Sequence, residues 1–233
     1  EAGATESLNF KVTPSGKLDT GTFSLQIDTD GKTYQQGFKE IVESHIPRQT
    51  LFPSAEVKLA RADLKFGGKR IAYLGGAGDL VPESLKEIGY EVVQLSVDQL
   101  LRQDLFAFDA IITGVRFYNV NGQGGQVQPK LMDYVRNGGT LVIQYNVNSP
   151  LKIAALGPYP FKLSRDRVTE ENAKVTFLAP EHQVLNYPNK ITAKDFEGWV
   201  QERGLYFATE LDPRYVPILG MNDQGEQSTK GSL

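Results

Sequence analysis

The sequence contains no cysteine and only two histidines among 233 residues. Without cysteine it can form neither a disulfide nor a thiolate metal site, and it has no thiol nucleophile. Neither His45 nor His182 is followed two or four residues later by another metal-ligating side chain. The sequence therefore predicts no metal site, no catalytic residue of the thiol class and no cofactor.

Excess charge of one sign and long apolar runs are also missing. The 25 Lys and Arg nearly balance the 28 Asp and Glu, which leaves a net charge of −3. Nucleic-acid binding favours a concentrated basic surface, so we expect no nucleic-acid partner. No run approaches the ~18 apolar residues of a membrane span. The first residues have neither the basic nor the apolar region of a signal peptide.

Residues 1–66 predict a small β-rich segment. Apolar and polar residues alternate over 10–13 and 23–28, and the pattern continues over 38–46. The sequence TDGK at 29–32 is typical of a hairpin turn, because glycine tolerates the positive φ that such turns need. These features predict a few short strands joined by turns.

Two prolines restrict the secondary structure of the stretch beyond residue 46. Pro47 and Pro53 exclude a regular helix or a central strand around them. About 60 residues in a few strands make a poor independent core. We interpret residues 1–66 as part of a β-sandwich or as an appendage packed on the next domain.

The pattern changes to alternating strands and helices after Gly67-Gly68. The predicted strands are 70–74, 91–95, 110–113 and 140–145, and the predicted helices are 82–88, 96–103 and 129–136. This alternation predicts an α/β domain over 67–233, with a parallel, flavodoxin-like sheet covered by helices on both faces. The first strand should be central. The last residues look like the entry to a further strand, so the chain could be truncated there.

Sequence motifs of catalysis are absent. GGAGD at 75–79 follows a strand, but it matches neither the dinucleotide-binding nor the P-loop pattern, and we interpret it as a tight turn. No GxSxG nucleophile elbow occurs. Acid–base chemistry by Asp195, Glu197 and Glu202 stays open, although solvated charges and an ion pair with Arg203 are the favoured explanation.

Polar and aromatic residues cluster at 114–119 (GVRFYN), 138–148 (GGTLVIQYNVN) and 195–207 (DFEGWVQERGLYF), the last of which holds the single tryptophan. The first two stretches follow predicted strands, where α/β proteins build sites. Aromatic rings stack on ligands and Arg donates paired hydrogen bonds. The candidate ligand-binding residues are Arg116, Tyr118, Asn119, Tyr145, Asn146, Trp199, Glu202 and Arg203. We expect Trp199 near the carboxyl-end face of the sheet, within reach of 114–119 and 145–149, or else as a cap on the core.

Five segments carry a resemblance to a known family: GVRFYN, NGGTLVIQYNV, PYPFKLSRDRVT, FLAPEHQVLNYPNKITAKDFEGWVQERGLYFA and DPRYVPIL. They resemble the C-terminal region of large bacterial proteins, as found in Bacteroidetes, that bear an LmbE/PIG-L-type N-acetylglucosaminyl deacetylase domain. The similarity covers most of residues 40–220. It implies that the α/β unit is similar to class I glutamine amidotransferase-like and trehalose-utilisation (ThuA-like) domains.

The same resemblance limits the activity. PIG-L-type deacetylases carry a His-Pro-Asp-Asp zinc motif, which neither His45 nor His182 matches, and amidotransferases need a cysteine that this chain lacks. Tyr145 or Asn146 falls near the expected nucleophile position. The resemblance thus implies a non-catalytic accessory region of a larger glycan-acting protein, beside a deacetylase domain, in the periplasm or outside the cell, and able to bind carbohydrate. The alternatives are a ThuA-like sugar-acting enzyme that uses carboxylates, and a structural or dimerisation module.

Overall fold

The computed structural model describes residues 7–9, 20–60, 64–199 and 203–231. The chain divides into two compact units, Glu1–Asp63 and Leu64–Leu233. The division falls ahead of the Gly67-Gly68 boundary predicted from the sequence. The backbone of Lys65 exchanges two hydrogen bonds with the Asn189 side chain, at 2.8 and 2.6 Å, and these contacts tie residues 64–66 to the second unit.

The first unit consists of short antiparallel pairs. Its described strands are β1 (Thr20–Ser24), β2 (Ile27–Thr29), β3 (Lys32–Tyr34), β4 (Lys39–Ile41), β5 (Gln49–Leu51) and β6 (Glu56–Ala60). β1 pairs with β6, β2 with β3, and β4 with β5. Asp30 and Gly31 both have positive φ, 50° and 71°, which confirms the predicted hairpin turn.

Two details of the first unit differ from the sequence-based expectation. The predicted strand at 23–28 is split, because β1 ends at Ser24 and β2 begins at Ile27. The proline-containing stretch holds β5 and β6, since Pro47 and Pro53 flank β5 and do not interrupt it. The predicted strand at 10–13 lies outside the described residues. None of the residues 21–59 is buried, as expected for a segment with so small a core.

The second unit begins with alternating strands and helices. They are β7 (Arg70–Leu74), α1 (Val81–Glu87), β8 (Glu91–Gln94), α2 (Val97–Arg102), a 3-10 turn (Leu105–Ala107), β9 (Ala110–Thr113), α3 (Phe117–Val120), α4 (Gly124–Arg136) and β10 (Leu141–Ile143). The four strands form one parallel sheet in the order β8-β7-β9-β10. This confirms the predicted α/β class and parallel sheet, with the first strand inside it.

Side chains of the sheet alternate between two apolar faces. Ala72 and Leu74 belong to a core cluster that also contains residues of α2 and α4. Ile71 and Tyr73 point to the other face, where residues of α1 pack. Successive strand residues point to opposite faces, so β7 is buried on both sides. Helices therefore cover both faces, as the sequence predicts.

Helix boundaries follow local signals with one exception. Ser96 and Gln99 form the predicted capping box of α2, and Gly89 follows α1 with a φ of 110°. α4 begins at Gly124, earlier than the predicted start, and Pro129 lies inside it. Val127 is fully buried, so core packing extends this helix beyond the position that the proline suggests.

The remainder of the second unit is built from short antiparallel pairs. Its elements are β11 (Lys162–Leu163), β12 (Arg167–Val168), β13 (Val175–Phe177), α5 (Gln183–Asn186), a 3-10 turn (Ala193–Phe196), β14 (Gly204–Leu205), β15 (Ala208–Thr209) and β16 (Leu219–Met221). β11 pairs with β15, β12 with β14, and β13 with β16. Val168, Ala173, Phe207 and Met221 form a small core there. None of the helices in the described residues is long and apolar enough to cross a membrane.

Adjacent leucines of α2 provide a stability test. Leu100 is 0% exposed in the main core, whereas Leu101 is 37% exposed. We expect Leu100→Ala to lower the free energy of unfolding by about 2–5 kcal/mol, because it leaves a cavity. Leu101→Ala is the matched control and should cost less than about 1 kcal/mol. Urea unfolding measures both, and equal losses would contradict the assigned packing.

Candidate functional site

The carboxyl ends of three sheet strands are tied together by Asp79. The Tyr73 hydroxyl donates to Asp79 Oδ1 at 2.6 Å, and the Val81 and Val115 N–H groups donate to the same carboxylate at 3.0 and 3.2 Å. Gln144 Nε2 donates to the Tyr73 hydroxyl at 3.0 Å. The carboxylate thus has its acceptors used within the protein, which agrees with the interpretation of 75–79 as a tight turn without a ligand.

Close backbone approach explains a glycine in this turn. A Cβ on Gly76 would lie 2.0 Å from the Val115 carbonyl oxygen, so only glycine fits. Burial alone would raise the pKa of Asp79, but the hydrogen bonds from Tyr73, Val81 and Val115 outweigh it and hold that pKa below 3.8. Burial, together with the neighbouring Asp79 carboxylate, raises the pKa of Tyr73 far above its ordinary value.

Three of the predicted site residues hold loops together. Asn119 donates to the carbonyls of Val147 and Pro150 at 2.9 and 2.8 Å, and its Oδ1 accepts from the Val147 N–H at 2.9 Å. Asn146 Oδ1 accepts from the Tyr118 N–H at 3.1 Å. The buried Tyr118 hydroxyl donates to Gln128 Oε1. Tyr118 and Asn119 are therefore structural residues here, and part of the expected loop at 114–119 belongs to the short helix α3 (Phe117–Val120).

Arg116 occupies a strained turn ahead of that helix. Its φ is 57°, in the left-handed region that a residue with a side chain rarely adopts. Its N–H donates to the Tyr145 carbonyl at 2.6 Å, which joins the ends of β9 and β10. The side chain is exposed. It lines neither of two cavities in the second unit, which have volumes of about 860 and 790 Å³.

Trp199 lines an open cavity of about 860 Å³, here called the Trp199 cavity. The indole is 43% exposed. Its ring centroid lies 5.5 Å from that of Phe196 and 5.1 Å from the Arg203 guanidinium carbon. Arg203 Nη1 donates to the Phe196 carbonyl at 2.6 Å, and this bond keeps the cation beside the indole. The cavity therefore offers an aromatic platform with a fixed positive charge.

Charged and amide side chains surround this platform. Those lining the cavity are Glu171, Asn172, Lys174 and Glu197. All four are exposed, and none forms an ion pair with another described residue. They leave donors and acceptors of both charges around the indole. Sequence analysis missed Asn172 and Lys174 because residues 171–175 carry no motif.

A second cavity, of about 790 Å³, runs along the outer strand of the parallel sheet and is here called the β10 cavity. Most of its wall is apolar, and its lining residues include Leu141, Val142 and Ile143 of β10 together with Leu205 and Phe207. The rings of Tyr145 and Tyr206, which also line it, have centroids 6.0 Å apart. Asn146 contributes a polar group.

Four of the predicted site residues line these two cavities, whereas Arg116, Tyr118 and Asn119 line neither. Trp199 lines the first, Tyr145 and Asn146 line the second, and Arg203 lines both. The Trp199 cavity has no lining residue from 114–119 or 145–149, in contrast to the expected gathering of these loops. The reason is that Phe196 packs on Phe177 of β13, 6.1 Å away, which places this segment on the antiparallel pairs. Glu202 lies outside the described residues.

Comparison with known proteins identifies no relative. No family model matches the chain, and no curated protein or solved structure matches it at a significant level. Within the described ranges, no three His, Asp or Glu side chains are grouped so that they could hold a metal ion. The two cavities are therefore the candidate sites of the second unit.

Asp79 should make stability depend on pH. A carboxyl group with a depressed folded pKa contributes stability above its unfolded pKa, and this contribution is lost as pH falls through the folded pKa. The window thus begins near pH 3.8 and extends downward. We expect Asp79→Asn to lower stability at pH 7 by on the order of 1 kcal/mol and to flatten the loss below pH 4.

The measurement is the free energy of unfolding at pH 7 and at steps between pH 5 and 2.5. Substitution of Glu87, exposed at the end of α1, by Gln is the control and should change neither value. An Asp79→Asn protein with the same pH profile as the parent protein would contradict the role given to this carboxylate.

Proposed function

We propose that this chain is a non-catalytic accessory region of a larger glycan-acting protein and that it binds carbohydrate in the Trp199 cavity. The observation that supports this most strongly is the half-exposed indole inside a concave, polar-edged cavity. The CH face of a sugar ring stacks on an indole, and sugar hydroxyls need both donors and acceptors around them. Asn172, Lys174, Glu197 and Arg203 supply both.

The exposure of the Trp199 indole and its contacts with neighbouring residues also favour ligand binding. A tryptophan that serves only as a core residue gains most by complete burial. Trp199 is instead 43% exposed, while Phe196 and Arg203 contact its ring. A platform that is fixed in advance loses less entropy when a ligand stacks on it.

The non-catalytic part of the proposal is based on chemistry that the sequence lacks. The chain has no cysteine to act as an amidotransferase nucleophile and no histidine in a PIG-L-type zinc motif. Asp79, at the carboxyl end of the sheet, is engaged by three donors from the protein itself. An acid–base role for it would require breaking that network.

The proposal also covers the type of fold and the parent protein. The strand order β8-β7-β9-β10 is compatible with a flavodoxin-like core, and we propose that the fold is of the class I glutamine amidotransferase-like type. The sequence resemblance suggests a parent protein with a PIG-L-type deacetylase domain, acting in the periplasm or outside the cell. Carbohydrate binding would then keep such a domain near its substrate.

Because the chain has a single tryptophan, intrinsic fluorescence excited at the indole reports on the Trp199 cavity alone. We expect amino sugars or short oligosaccharides to shift the emission to the blue and to saturate with a Kd on the order of 0.1–10 mM, since a shallow sugar site gains little per ring. A titration monitored at constant ionic strength measures this.

Variants decide whether the signal means binding. Trp199→Ala should abolish the heat of binding in calorimetry, whereas Phe106→Ala, which removes another exposed ring from the same unit, should leave it unchanged. If no sugar moves the emission and Trp199→Ala lowers only stability, the indole is a structural cap and the proposed function is wrong.

Metal content and hydrolysis give an independent test. We expect purified protein incubated with Zn²⁺ and dialysed to retain far less than one equivalent, because the ligand set of the PIG-L-type site is missing. We also expect no acetate release from N-acetylglucosamine substrates and no ammonia release from glutamine. Elemental analysis and the two product assays measure this, and stoichiometric zinc with either product would contradict the proposal.

A further inference from the structure

The two cavities abut at Arg203 but differ in chemistry. The Trp199 cavity carries charged and amide groups around one indole, whereas the β10 cavity is lined mainly by aliphatic and aromatic side chains. Arg203 forms part of both walls, and its backbone N–H donates to the Val168 carbonyl at 2.8 Å. The two cavities therefore share this lining residue.

The β10 cavity exposes apolar surface that a sugar would not use. Val142 is 46% exposed although it lies in a strand, and Val216 and Tyr145 are also exposed. All three line this cavity. Apolar surface left open to water costs free energy that an apolar ligand recovers, at roughly 25 cal/mol per Å². A cavity of about 790 Å³ lies within the ~300–1,000 Å³ that small-molecule sites occupy.

We propose that the ligand is an amphiphilic glycoside, with its sugar in the Trp199 cavity and an apolar aglycone in the β10 cavity. This inference rests on the proposed carbohydrate binding and specifies its ligand class. Arg203 stands at the junction, where the polar and apolar parts of such a molecule meet.

The difference in polarity between the two cavities disfavours an unmodified oligosaccharide as a ligand that occupies both. A longer sugar chain would place hydroxyl groups against Leu141, Ile143 and Leu205, where the wall offers few partners. Unpaired hydroxyls in such surroundings cost free energy, whereas methylene or aromatic groups gain it. An alkyl and an aryl aglycone both fit this wall, and a comparison of glycosides separates the two.

The experiment compares methyl, octyl and phenyl β-D-glucopyranosides and their N-acetylglucosaminides, each below its critical micelle concentration. Trp199 emission and calorimetry are the readouts. We expect the Kd to fall by on the order of 100-fold from methyl to octyl, because several methylenes leave water. A phenyl arm that matches or exceeds the octyl arm identifies an aromatic aglycone, and a stronger octyl arm identifies an alkyl chain.

Substitutions in the β10 cavity localise the tail. Val142→Lys should remove most of the gain from methyl to octyl and leave the Kd of the methyl glycoside unchanged. Val216→Lys, at another residue that lines this cavity, should do the same, so the test stands even if one variant fails to fold. Val184→Lys, at a valine of matched 49% exposure outside both cavities, is the control and should keep the full gain.

The outcomes separate this inference from the proposed function. Equal Kd values for methyl and octyl glycosides, each with a shift of the Trp199 emission, would overturn the amphiphile and leave sugar binding intact. An octyl zwitterionic detergent that binds as tightly as the octyl glycoside, without the shift, would show unspecific apolar binding and overturn it as well. No shift with any glycoside would remove both proposals.

Discussion

The guanidinium of Arg203 is held in place by two neighbours, and this residue lines both the Trp199 cavity and the β10 cavity. Nη1 donates to the Phe196 carbonyl at 2.6 Å, and the guanidinium carbon lies 5.1 Å from the indole centroid of Trp199. The same residue lines a polar cavity and an apolar one. The proposed ligand follows from this shared residue, since an amphiphile suits the polar cavity with one end and the apolar cavity with the other.

Residues of the parallel sheet line the β10 cavity. β10 is the outer strand, and its residues form the apolar wall of the second cavity. Its position is secured at the carboxyl end, where Gln144 donates to Tyr73 and Tyr73 donates to Asp79. The hydrogen bonds of Asn119 and Asn146 fix the loop after this strand. Asn119 and Asn146, which the sequence suggests as ligand-binding residues, therefore stabilise the loop after β10.

Local sequence signals predict the sheet well and the cavities poorly. β7 and β9 have their predicted limits because each is an apolar run that ends at glycine, and the capping box of Ser96 and Gln99 sets the start of α2. α4 is longer than predicted because burial of Val127 overrides the signal of Pro129. The division of Tyr145 and Trp199 between two cavities depends on antiparallel pairs of two or three residues, such as β13 with β16. Strands of two or three residues are too short to show the alternation of apolar and polar residues that predicts a strand.

The most direct test of the proposed ligand is a ¹H–¹⁵N correlation spectrum recorded during titration with octyl β-D-glucopyranoside. One tryptophan gives one indole N–H resonance, so its assignment is immediate. We predict that this resonance moves together with the amides of residues 172–174 and 203–206, while those of residues 20–60 stay fixed. A stationary indole resonance, with shifts confined to other parts of the chain, would contradict the proposed site.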